Sequence, residues 1–364
     1  MKQRSKFLLL ALVSLILVAS TAIFFFCYTN HLADSDVVIE DDKLALEQRI
    51  EPELYQLTVP YLRNRGYSSH LSNLEKLRET TDYEVFLTSY DSDGLRINGL
   101  LTIPKGERPD AGWPAIVFLH GYQNPATYQT DGQPYSAYWA YLARQGFIVF
   151  KIDLRGHGES EGRASGAYYS SDYVIDTLNA YFALAVSDFV NPAKIYLWGH
   201  SMTGNTVLRT LAARPEIPRA VIWAGAVYTY ADMAQYGIQD SSFVGHATPA
   251  PIPTGSSASS GAQRSSLRTL IDKYHGSNAT LQSDPFWRAF VPANYLGEIK
   301  TKIALFHAIN DDVVSVNYSR DLRDLAASTS ADIILYEYPT GGHNLSSPTF
   351  EQAMRETVKF LQGI

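Results

Sequence analysis

A chain of 364 residues with 46% hydrophobic and 18% charged side chains has enough apolar material for a sizeable core and is not of disordered composition. Its net charge of -7, with no Lys/Arg run beyond the first residues, argues against a nucleic-acid surface. The single cysteine, Cys27, excludes a disulfide framework, a cysteine metal centre and a cysteine nucleophile from the folded part that follows it.

Lys2, Arg4 and Lys6 precede an uncharged apolar run, FLLLALVSLILVASTAIFFFCY, at residues 7–28. As a helix this run would rise about 33 Å at ~1.5 Å per residue, enough to cross a bilayer core. It predicts a transmembrane signal anchor, with residues 1–6 as a cytoplasmic basic flank and the acidic DSDVVIEDD on the far side. A cleavable secretory signal is the alternative, with Ser20–Ala22 as the cleavage site. Either reading exports the rest of the chain: membrane-anchored if the segment stays, secreted if it is cut.

Residues 29–53 are polar and charged and read as a linker; residues 54–364 read as one domain. DYEVFLTSY and LRINGLLTIP, separated by a DSDG turn, predict two strands. PAIVFLHG is a short continuous apolar run, as in a strand buried on both faces. YSAYWAYLARQG reads as a helix stopped by Gly146, and FIVFKIDLRG as another buried strand. DYVIDTLNAYFALAVSDF is a helix, KIYLWGHS a strand and NTVLRTLAARP the helix after it. RAVIWAGA, KIALFHAIND and IILYEYP predict three further buried strands, and EQAMRETVKFLQGI a closing amphipathic helix. This alternation means an α/β domain with a mostly parallel sheet flanked by helices. It breaks down over residues 229–287, where ATPAPIPTGSSASSGAQRSS is a loop and LRTLIDKY a helical piece. That insertion predicts a lid over the C-terminal edge of the sheet.

Ligands of open parallel sheets bind beyond the carboxyl ends of the strands. Ser201 ends one strand and opens a helix within GHSMTGN, the position of a nucleophile on a sharp turn. Thr203 occupies a place where such turns carry glycine, and reads as a packing variant whose hydroxyl is idle. A serine needs a base, and the base an orienting acid. Of nine histidines, His343 in TGGHN follows the last strand on a flexible loop. His120, His157 and His200 have loop-structuring roles, and His307 lies within a strand. The acid comes from the strand-end pair Asp311 and Asp312; the D-x-x-V spacing favours Asp311, with Val314 as apolar anchor and Asp312 solvated or capping the next helix. The backbone N–H groups of Met202 and Tyr122 are the expected oxyanion donors. Arg155 in DLRGHGESEG is expected to pair with a carboxylate in a structural role. Neither a cofactor nor a metal is expected.

In order, SYDSDGLRINGLLTIPKG, GWPAIVFLHGY, DLRGHGESEG, GHSMTGN, DPFWRAFVPANYL, HAINDDVVSV and GGHN resemble the α/β-hydrolase superfamily. The likeness is to the catalytic domain of the prolyl-oligopeptidase family of serine peptidases and its dienelactone-hydrolase and acetylesterase relatives. It runs from about residue 54 to the end. It implies an α/β-hydrolase fold, with Ser201, Asp311 and His343 as catalytic triad and Tyr122 and Met202 at the oxyanion positions. It also implies a serine peptidase acting on short peptides, with a carboxylesterase acting on small esters as the alternative. A non-catalytic binding protein of the same fold is the remaining reading. Three features depart from the pattern: Thr203, Ala308 in HAIND, and the absence of a β-propeller ahead of the first strand.

Overall fold

The computed structural model describes residues 50–164, 168–238 and 284–364. The expected anchor at 7–28, nearly all of the 29–53 linker, and the loop and helical piece within 229–287 lie outside the described residues. Among the described residues no helix is long and apolar enough to cross a membrane. A boundary after Pro52 sets off the compact unit Glu53–Ile364.

Among the described residues nine strands form one sheet in the order β1-β2-β3-β5-β4-β6-β7-β8-β9. Strands β1 (Glu75–Glu79), β2 (Tyr83–Ser92) and β3 (Leu95–Pro104) run antiparallel. The β2–β3 turn is Asp93-Gly94, with φ of 56° and 77°. An Asp-Gly pair adopts those angles at little cost, and it sets the hairpin register. Strand β3 pairs antiparallel with β5 (Ile148–Ile152), and from there the sheet is parallel. Its members are β4 (Trp113–Leu119), β6 (Val190–His200), β7 (Arg219–Trp223), β8 (Lys302–Ala308) and β9 (Asp332–Tyr338).

Among the described residues the α-helices are α1 (Pro52–Tyr55), α2 (Val59–Asn64), α3 (Ser136–Arg144), α4 (Asp172–Ala185), α5 (Thr203–Ala213), α6 (Tyr230–Tyr236), α7 (Pro285–Phe290), α8 (Asn317–Ala326) and α9 (Thr349–Gln362). Alternate residues of the central strands face α3 and α9: Phe118, Trp198, Trp223 and Phe306 pack with Tyr138, Leu142, Val358 and Leu361. Phe118 and Trp198 stack at 4.1 Å between ring centroids. On the opposite face Val174 and Leu178 of α4 pack with Leu62 of α2 and Ala213 of α5. With both faces covered, the central strands read as unbroken apolar runs.

Two strands depart from expectation. IILYEYP is the edge strand β9, half exposed, with Ile334 44% accessible, because nothing among the described residues pairs beyond it. Strand β1, EKLRE, is exposed at every position and has no apolar alternation to betray it. Its charges suit an edge that must not recruit another strand.

Candidate active site

Strand β6 runs up to His200 and α5 starts at Thr203, so the chain reverses within Ser201 and Met202. Ser201 is held at φ 56°, which is uncommon for a residue with a side chain and lifts its hydroxyl off the end of the sheet. Its N–H donates to the Trp223 carbonyl at 2.9 Å, and its own carbonyl accepts from Gly204 at 2.9 Å. Glycine is needed on either side: a Cβ on Gly199 would lie 2.7 Å from Val207, and one on Gly204 would lie 2.7 Å from the backbone of Gly225.

Thr203 is no idle packing variant. Its buried Oγ1 accepts the His200 N–H at 3.0 Å and faces the carbonyls of Leu119 at 3.2 Å and His200 at 3.0 Å. A glycine there would leave these groups at the joint of β4 and β6 without that partner.

Asp311 follows β8. Its Oδ1 accepts the N–H groups of Val313 and Val314, both at 2.9 Å, while Val314 itself is buried. Its Oδ2 lies 2.8 Å from Nδ1 of His343, whose Nε2 lies 2.9 Å from the Ser201 hydroxyl. The carboxylate requires the proton on Nδ1, which leaves Nε2 to accept from Ser201. Burial pushes the Asp311 carboxyl upward, but the hydrogen bonds from His307 and His343 outweigh it and hold the group well below the usual carboxylate range. Asp312 is exposed, and α8 is capped at Val316 without a side-chain bond, so Asp312 does not cap it. The His343 loop turns at Gly341 and Gly342, with φ of 129° and 61°, and the Gly342 N–H is tied to Asn310 Oδ1 at 3.0 Å.

Tyr122 and Met202 lie on the two chain segments that flank Ser201. Leu119 of β4 is in register with Gly199 of β6, and a Cβ on Gly121 would stand 3.2 Å from the His200 carbonyl. That close approach brings the segment carrying Tyr122 against the turn carrying Met202.

A model of one protein family, Hydrolase_4, described as serine aminopeptidase S33, matches residues 114–347, more than half of the chain. The chain belongs to the S33 serine aminopeptidase family. That family is one of serine hydrolases within the α/β-hydrolase superfamily. Over 157 residues the chain is 30% identical to the uncharacterized protein YfhR of Escherichia coli strain K12, covering 42% of this chain and 50% of that one. It is 29% identical over 147 residues to the lysophosphatidylserine lipase ABHD12 of Danio rerio, covering 36% of each chain. The chain thus spans about half, or less, of the length of the curated relatives it matches. Among solved structures, the acetyl xylan esterase of Paenibacillus sp. R4 superposes with a TM-score of 0.57 at 18% identity, over 85% of this chain and 93% of that one. That likeness is one of fold.

In this S33-family chain one neighbour of the site escapes sequence reasoning. His307, on β8 four residues before Asp311, is fully buried with Nε2 3.2 Å from Asp311 Oδ2 and 3.0 Å from the Val314 carbonyl. Both are acceptors, so Nε2 carries the hydrogen. Its Nδ1 meets Ser319 Oγ at 2.8 Å. The only signal in the sequence is the H-x-x-x-D spacing at a strand end.

The remaining expected residues have structural surroundings. Arg155 holds Asp176 through Nη2 at 2.7 Å and Asp172 through Nη1 at 3.1 Å. Asp153 accepts from Tyr128 at 2.8 Å and Thr130 at 2.5 Å, anchoring the loop after β4. His120 is buried between the carbonyls of Gly121 and Asp153. Among the described residues no group of three or more His, Cys, Asp or Glu is placed to hold a metal ion.

Proposed function

We propose that this protein hydrolyses carboxylic acyl bonds through an acyl-enzyme on Ser201. In this reading His343 is the general base, Asp311 orients it, and the backbone N–H groups of Tyr122 and Met202 receive the oxyanion. The observation that carries it is the contact chain from Ser201 Oγ to His343 Nε2 at 2.9 Å and from His343 Nδ1 to Asp311 at 2.8 Å, with the serine held at φ 56°. Ser201 attacks the acyl carbon as its proton passes to His343. The imidazolium so formed is stabilised by Asp311 and then protonates the leaving group. Water enters by the same route and His343 returns to its neutral state.

The favoured substrate class is a carboxylic ester. Support comes from the ABHD12 match, since that relative is by name a lipase. A short peptide is the second reading, favoured by the aminopeptidase description of the family. Ester turnover is expected under both readings, because an ester is the easier acyl bond to break. Amide turnover separates them. A fluorophosphonate probe is expected to label Ser201, and Ser201→Ala to abolish both labelling and turnover of p-nitrophenyl acetate. No labelling of the wild-type protein would overturn the reading. Turnover of aminoacyl-p-nitroanilides at rates rivalling the ester would move the assignment to peptidase.

The reading extends to the rest of the chain. Residues 7–28 act as a signal anchor and place the hydrolase unit, residues 54–364, outside the cytoplasm. The insertion at 229–287 acts as a lid. Lys2, Arg4 and Lys6 ahead of the apolar run support the anchor, and the insertion's place between β7 and β8, at the strand ends where Ser201 lies, supports the lid. Alkaline extraction of membranes from cells expressing the full chain is expected to leave it in the pellet. Release into the supernatant would remove the anchor from the proposal.

A further inference from the structure

A second chain of hydrogen bonds passes through the site without touching the serine. The Gly121 N–H donates to Tyr135 Oη at 2.7 Å. That oxygen lies 2.8 Å from Nδ1 of His200, and His200 Nε2 lies 3.0 Å from the backbone carbonyl of His343. A carbonyl only accepts, so the ring hydrogen of His200 is on Nε2. Nδ1 of a neutral ring is then bare, and the Tyr135 hydroxyl donates to it. Every donor in the series has one acceptor, and the direction runs from Gly121 through Tyr135 and His200 to His343.

The surroundings enforce this polarity. His200 is 2% exposed and Tyr135 6%. Burial, together with the His343 ring 4.7 Å away, pushes His200 down to about 3, so it stays neutral through the working range. Asp311 favours its protonation and His307 opposes it, and both effects are smaller than burial. Trp198, Tyr135 and Tyr138 supply the ring contacts around it. Gly121 is small for the same reason: a Cβ there would stand 2.7 Å from Tyr135 Oη and 2.9 Å from His200 Nδ1.

We propose that Tyr135 and His200 are positioning residues which lock the strand end that carries the oxyanion segment to the loop that carries the base. The assignment rests on Ser201 and His343 being nucleophile and base. As His343 gains a proton during attack, a neutral donor on its carbonyl keeps the loop in place without adding a second positive charge. The elbow histidine therefore does more than shape its own turn. It ties the two halves of the site, Gly121–Tyr122 and Gly342–His343, into one register.

The test uses full-length protein with Tyr135→Phe, His200→Ala and His200→Gln, assayed with p-nitrophenyl acetate and a fluorophosphonate probe. Tyr135→Phe removes both bonds of that hydroxyl and is expected to lower kcat by about tenfold or more, with KM changed by less than about twofold. Its kcat–pH profile should gain an acid-side ionisation absent from wild type, because the bare Nδ1 has lost its donor and takes a proton more readily. His200→Ala should lose more. His200→Gln should recover about tenfold over alanine, since its amide nitrogen reaches the Nε2 position and donates to the His343 carbonyl. A wild-type kcat and pH profile in Tyr135→Phe, or His200→Gln no better than His200→Ala, would overturn the proposal. Should His200→Ala not fold, the profile of Tyr135→Phe decides alone. A wild-type protein that fails to react with the probe refutes instead the assignment of Ser201, which keeps the two failures apart.

Discussion

His307 lies 3.2 Å from the same Asp311 oxygen that His343 contacts at 2.8 Å, so two histidines share one carboxylate oxygen. With the N–H groups of Val313 and Val314 on the other oxygen, four donors surround a charge that burial disfavours. His307→Phe keeps the volume and removes one donor. Its expected effect is a kcat about tenfold lower, together with a lower melting temperature, because a hydrogen bond to a charged group is worth ~1.5–3 kcal/mol. Steady-state kinetics and thermal melts check this. An unchanged kcat would mean that Asp311 is held by its backbone donors and His343 alone.

Thr203 is expected to need its hydroxyl. Thr203→Ser keeps the bonds to His200 and Leu119 and should retain activity. Thr203→Val, nearly equal in shape, leaves the His200 N–H buried without its acceptor and should cost about 1–3 kcal/mol of stability. Thr203→Gly, although it restores the commoner residue of such turns, should fall with valine rather than with serine. Melting temperatures and kcat for the three variants decide; a fully active Thr203→Gly would return the residue to a packing role.

Asp232 carries a prediction about pH. It sits at the start of α6, 8% exposed, and among the described residues its Oδ2 has no hydrogen-bond partner. Burial, with Asp321 nearby, pushes its carboxyl from 3.8 up to about 6. Between those values the folded protein keeps a proton that the unfolded chain has released. Stability therefore falls as pH rises through that window and stays lower above it. Asp232→Asn should stabilise the protein by about 1–3 kcal/mol at neutral pH and by much less below the carboxyl's ordinary range. Denaturant melts at the two pH values test the sign. Destabilisation at neutral pH would mean that the carboxylate is paired in solution.

Much of the fold could be read because the parallel strands announce themselves. β4, β5 and β7 are covered on both faces, so PAIVFL, FIVFKI and RAVIW show as apolar runs with little polar interruption. The convergence of Ser201, Asp311 and His343 followed from strand ends in a parallel sheet, which bring residues far apart in sequence to one edge. What stayed hidden depends on contacts between segments. β1 has no buried residue to give it a period. β9 looked fully buried because ILY is apolar, and only the sheet order shows that it is an edge. The bonds of Thr203, His200 and His307 join β4, β6, β8 and the His343 loop, and no local spacing in the chain encodes which of these groups face each other.

Arg209 bears on stability rather than chemistry. It lies on α5, fully buried, and its guanidinium donates to the carbonyl of Leu57, the carbonyl of Ser170 at 2.6 Å and the hydroxyl of Ser171 at 2.9 Å. Ser171 in turn donates to the Gln56 carbonyl at 3.0 Å. Its other neighbour is the ring of Phe290, 4.8 Å from the guanidinium carbon. Burial lowers its pKa to about 10, so the charge persists at neutral pH. One side chain thus clamps the segment between α1 and α2 onto the helix that begins at the elbow. Arg209→Met keeps most of the volume but leaves two buried carbonyls unpaired, which costs about 2–4 kcal/mol. The segment around residues 52–66 should loosen first, because its Leu57 bond to α5 is lost and the bond from Arg63 Nε to the Ala212 carbonyl at 2.7 Å is left to hold it. Limited proteolysis mapped by mass spectrometry is expected to show new early cuts there, ahead of cuts in the sheet, together with a lower melting temperature. Cleavage spread evenly over the chain would show that Arg209 supports the whole core and not this one attachment.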